Sequence, residues 1–98
     1  MSSEIRVRKT DVGGSSTRFD VVVSDDDGTA SEHAVSLSDA DRERLATGYP
    51  SSEAFIHSAF EFLLQRERKE SILRTFDVSQ IATYFPEFDE EIGHPSND

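Results

Sequence analysis

The 98-residue chain has no cysteine, which excludes disulfides, thiolate metal sites and thiol nucleophiles. Cations are scarce: ten Lys and Arg stand against twenty Asp and Glu, a formal charge of −10 at pH 7. That balance argues against a general affinity for phosphate backbones or anionic lipid, both of which rely on basic patches. Long apolar runs are missing too. No stretch approaches the roughly 18 apolar residues of a membrane span, and residues 1–10 (MSSEIRVRKT) carry charge where a secretory signal needs an apolar run of about 7–15 residues. A cytoplasmic location without membrane contact is therefore expected. What is present suffices for one core: 35% hydrophobic residues with seven Phe, in a length that suits one domain over 1–98. Its ordered core is expected over about 4–92, with 93–98 as a mobile tail lacking an apolar residue to dock it.

The first third alternates with a period of two. Ile5 and Val7 alternate with Arg6 and Arg8, and after Gly13-Gly14-Ser15-Ser16 the apolar Phe19, Val21 and Val23 follow the same rule. A third run, 32–37, is entered through Asp25-Asp26-Asp27-Gly28. The simplest reading is a three-stranded antiparallel meander. An odd-length loop with Gly28 in a left-handed, bulged position would pair Val21 with Val35 and Phe19 with Leu37, collecting Phe19, Val21, Val23, Val35 and Leu37 on one face.

From Ser38 the period becomes helical. Ser38 or Asp39 caps a short helix through Leu45, stopped near Gly48-Tyr49-Pro50, and Ser51 or Ser52 caps a main helix over about 53–68. Its apolar arc is wide, from Phe62 and Phe55 through Ala59, Leu63, Ile56 and Phe60 to Leu64, so the helix should touch more than one neighbour. Arg66, Arg68 and Lys69 lie where cations offset the negative end of the helix dipole. The segment 71–76 reads as a short helical turn presenting Ile72, Leu73 and Phe76. Asp77 and Gln80 have capping-box spacing for a last helix over about 78–85, and Phe88 with Ile92 adds one more turn. The expected fold is thus α+β, a three-stranded N-terminal meander packed against three or four C-terminal helices.

Two resemblances bear on this. Glu61-Phe62-Leu63-Leu64, Glu70-Ser71-Ile72-Leu73, Phe76-Asp77-Val78-Ser79 and Tyr84-Phe85-Pro86-Glu87 resemble a pattern in small bacterial proteins of unassigned function. That resemblance implies a bacterial cytosolic protein with a β-rich start and helical end, and brings no catalytic residues. The order of strand 33–37, short helix, Gly48 turn and helix 52–64 is similar to the ribbon-helix-helix DNA-binding fold, whose intermolecular strand pair reads the major groove. Here two strands precede the ribbon, and Glu32 and Asp39 flank it.

The chemistry is sparse. Glu53, His57 and Glu61 form one row on the main helix, where an imidazole between carboxylates could hold a metal or act as a base; a solvated face is the preferred reading. Asp25-Asp26-Asp27-Gly28 resembles a calcium loop but lacks both end ligands, Val23 and Ala34 standing there, so a hairpin turn is preferred. His33 and His94 are isolated. There is no phosphate loop and no Gly-x-Ser-x-Gly elbow, hence no expected catalytic, cofactor or metal residues. The remaining candidate is the acidic end: residues 77–98 hold six of the twenty carboxylates and none of the ten cations. Tyr84, Glu87, Phe88, Asp89, Glu90 and Glu91 read either as a solvated terminal turn docked through Phe88 or as a surface for a protein partner with a basic face, Phe88 being the anchor. The sequence therefore points to a noncatalytic interaction module, a monomer or weak dimer. A ribbon-helix-helix-like DNA-binding regulator, or a small enzyme without a readable motif, is the alternative.

Overall fold

The computed structural model describes residues 4–92, so the tail expected at 93–98 lies outside the described residues. The chain forms β1 (Glu4–Val12), β2 (Ser16–Ser24), β3 (Ala30–Ser38), α1 (Asp39–Leu45), α2 (Ser52–Leu64), a 3₁₀ turn (Lys69–Ser71), β4 (Thr75–Asp77), α3 (Ser79–Tyr84) and α4 (Phe88–Ile92). The class is α+β, with a sheet followed by helices. The sheet has four strands rather than three, in the order β1-β2-β3-β4, and β4 joins β3 in parallel.

The β2–β3 turn explains the register. Asp25 N–H donates to the Thr29 carbonyl (2.9 Å) and Gly28 N–H to the Asp25 carbonyl (3.1 Å), enclosing Asp26, Asp27 and Gly28. Gly28 has φ 89°, a left-handed conformation that a side chain would strain. The odd loop and bulged glycine match expectation, but the pairing is displaced: Phe19 faces Val35, Thr17 faces Leu37 and Val21 faces His33. Because the displacement is by two residues, the same side chains stay on the core face. Phe19, Val21, Val23 and Leu37 are fully enclosed, and His33 joins them at 3% exposure.

That apolar face needs a cover, which α2 supplies. Ser51 Oγ accepts from Ala54 N–H (3.1 Å) and Ser38 Oγ caps α1 in the same way through Asp41 N–H (3.1 Å). Phe55, Ile56, Ala59, Phe60, Phe62 and Leu63 are all buried, as the wide arc predicts, while Leu64 at the end of that arc is only half-buried. The helix ends at Leu64, short of 68, and its last turn closes through Arg66 N–H and Glu67 N–H on the Leu63 carbonyl, from which the Arg66 side chain reaches α4.

The segment read as a helical turn at 71–76 is in part a strand. Phe76 lies opposite Val35, held by Ala34 N–H to the Arg74 carbonyl (2.6 Å) and Val78 N–H to the Ser36 carbonyl (2.9 Å). Ile72 and Phe76, four apart, carry a helical spacing, yet Phe76 reaches the core by completing the sheet beside Val35 and stacking on Phe60 (ring centroids 5.9 Å). Beyond it the capping box forms: Asp77 N–H donates to Gln80 Oε1 (2.9 Å) and Ser79 N–H to Asp77 Oδ2 (3.0 Å). Among the described residues no helix is long and apolar enough to cross a membrane.

Candidate functional site

The acidic end is folded back on the protein. Phe88 is fully buried, its ring against Phe62 (5.0 Å) and Phe55 (6.5 Å), which fits a terminal turn docked through Phe88 and not a Phe88 anchor offered to a partner. Arg66 reaches Glu87 through Nε (3.1 Å) and Glu91 through Nη2 (3.1 Å), while its guanidinium lies 3.6 Å from the Phe62 ring centroid. Asp89 accepts from Arg44 (2.8 Å). Three of the four carboxylates thus serve internal contacts, and Phe88 contributes to the core. Of the expected site residues, Tyr84, Glu87, Glu90 and Glu91 are exposed, Glu87 and Glu91 while paired with Arg66, and only Tyr84, 65% exposed, offers a large apolar surface.

Tyr84 belongs to a cleft between the 3₁₀–β4 segment and α3, with a volume of about 240 Å³. Buried Leu63, Ile72, Phe76 and Ile81 form its floor, and exposed Leu73 and Tyr84 stand at its rim. Three large apolar residues are markedly exposed among those described, and two of them, Leu73 and Tyr84, are these rims; Val12 is the third. Small-molecule sites typically run to about 300–1,000 Å³, so this cleft suits one or two side chains of a partner.

Glu67 completes the wall. It follows the end of α2, its N–H on the Leu63 carbonyl (2.9 Å), and its carboxyl is pushed above the ordinary value by burial. No cation among the described residues pairs with it. Of the cations beside it, Arg66 is committed to Glu87 and Glu91, and Lys69, buried to 5% exposure, to Asp25 (2.6 Å) and Glu70 (2.9 Å), while Arg68 is exposed and forms no ion pair with it. Those carboxylates hold the Lys69 ammonium well above its ordinary pKa.

The other candidates resolve into turns and surface. His57 Nδ1 lies 3.7 Å from Glu61 Oε2 on an exposed face, and no group of three metal-ligating side chains assembles among the described residues. Asp27 Oδ1 accepts from the Thr29 hydroxyl (2.7 Å) and N–H (3.0 Å), which lower its pKa and make the acidic run a hairpin turn. The uncovered face of the sheet forms an open depression of about 780 Å³ in which Arg8 pairs with Asp20 (3.3 Å). The ribbon arrangement needs a strand with a free edge at 33–37, but both edges of β3 are filled, by β2 and β4. Sequence reading missed Glu67 because an acid in the run Arg-Glu-Arg-Lys-Glu resembles any solvated one, and it named Leu73 only as an apolar residue of the 71–76 turn, not as part of a site. No protein-family model, curated protein or solved structure matches the chain.

Proposed function

We propose that the chain is a noncatalytic, cytoplasmic protein-interaction module whose docking surface is the Leu73–Tyr84 cleft rather than the acidic helix α4. The observation that carries this reading is the concentration of exposed apolar side chains at one concave place on an otherwise charged surface. Partner binding there would cover Leu73 and Tyr84 and extend the apolar floor, the arrangement expected of a small interface with a buried anchor. The internal pairing of Glu87, Asp89 and Glu91 favours the cleft over the acidic end.

The test is affinity capture from the source cell with the intact chain and with a Leu73→Ala/Tyr84→Ala double variant. Both side chains are exposed, so the fold should tolerate their loss. Partners held by the intact chain and lost by the double variant are expected, with little change on Glu90→Gln. Equal recovery by the double variant would move the surface elsewhere. A chain cut after Pro86 is a poor control, since it removes buried Phe88 and Ile92 from the core.

A further inference from the structure

We infer that Glu67 is the selectivity residue of this cleft, and that the segment it receives is a partner peptide bearing an apolar side chain next to a lysine or arginine. The inference rests on the cleft being the docking surface and adds the chemistry of the occupant. A carboxylate is costly to hold in an apolar wall unless it is paired, and the two cations that are not exposed, Arg66 and Lys69, are already engaged. Arg66 receives two carboxylates and Lys69 two, while Arg44 bridges Asp41 and Asp89. Glu67 alone lines the apolar cleft with no cation from the described residues. A partner cation would supply the missing interaction and be steered by the net charge of −10. An apolar anchor between Leu73 and Tyr84 fits the volume, and the same wall rejects an acidic segment by like-charge repulsion.

A consequence separates this from a purely apolar groove. Burial raises the Glu67 carboxyl, and a bound cation would bring it down again, so complex formation should release a proton within the carboxylate range. Affinity should then rise with pH from about 4 to 6.

The probe is a random dodecapeptide library displayed on phage and selected on the full chain. Selected sequences should combine an apolar residue with a nearby Lys or Arg. Glu67→Gln should weaken the selected peptide about tenfold and flatten its pH dependence. Because Gln relieves a half-buried unpaired charge, that variant should remain as stable as the parent, which a thermal melt verifies. Peptides that require Leu73 and Tyr84 but lack a basic residue and ignore Glu67→Gln would overturn the role of Glu67 and leave the cleft standing. Peptides that bind the Leu73→Ala/Tyr84→Ala variant unchanged, or a selection that enriches none, would overturn the cleft and this inference with it.

Discussion

A neutral imidazole suits the position of His33. Nδ1 meets the Leu73 carbonyl (2.7 Å), Nε2 meets the Ser31 hydroxyl (2.8 Å), and the ring packs 5.3 Å from that of Phe60. Burial lowers its pKa below 6.5, and Arg74 nearby acts in the same direction, against the opposing effect of the Leu73 carbonyl. As pH falls through about 6.5 the unfolded chain takes up a proton that the folded chain resists. The stability this group contributes is therefore complete above about 6.5 and declines below it, until the folded pKa is passed. Urea unfolding at pH 7.5 and 5.5 should show a loss of stability at the lower value, and His33→Gln should reduce that difference. An undiminished loss in the variant would place the proton uptake elsewhere. His33 was legible only as an isolated histidine. It shares the alternation of Val35 and Leu37 and so lies on the core face in either register; what alternation leaves unread is its partner, the Leu73 carbonyl 40 residues on.

At the scale of elements, Arg66 ties the end of α2 to α4. Its two carboxylates and the Phe62 ring occupy the guanidinium at once, and the side chain is only 21% exposed. Exposed ion pairs contribute little singly, about 0.2–1 kcal/mol, and a cation over a ring adds about 0.5–1 kcal/mol. Arg66→Ala should thus cost about 1–2 kcal/mol in urea unfolding and speed amide exchange in 88–92 while leaving β2 and β3 unchanged. Arg66→Lys should restore only part, because an ammonium lacks the planar fork that serves Glu87, Glu91 and the ring together. Elements with local signals were legible: Ser38, Ser51 and the Asp77–Gln80 pair cap helices within three residues of themselves. β4 was not, for three residues have no period to read and its partner Val35 lies 41 residues back. Arg66 looked like a dipole-offsetting cation for the same reason, its true partners being 21 and 25 residues on.

For the whole molecule, the exposed edge is β1. Arg6 and Arg8 stand on its uncovered face, Lys9 is exposed on the other, and its pairing with β2 is interrupted between Lys9 and Asp11. A second copy pairing antiparallel about Arg6 or Arg8 would set that arginine against itself, and pairing about Val7 would set Arg6 against Arg8. Like charges directly opposite are destabilising, and a break in the ladder re-aims the strand, so the edge is protected. Light scattering should give a monomer near 11.0 kDa at micromolar concentration. A mass twice that, persisting on dilution, would mean that another face pairs.

The crossover from β3 to β4 also has a consequence for synthesis. Residues 4–38 leave the ribosome first and can pair as a meander, yet Phe19, Val21, Val23, Val35 and Leu37 then have nothing over them until α2 emerges. The nascent chain passes through an interval in which its stickiest surface is finished before its lid exists. A ribosome stalled just late enough to release Ser38 from the exit tunnel should hold a chain that hold-type chaperones recognise, and one stalled late enough to release Asp77 should not.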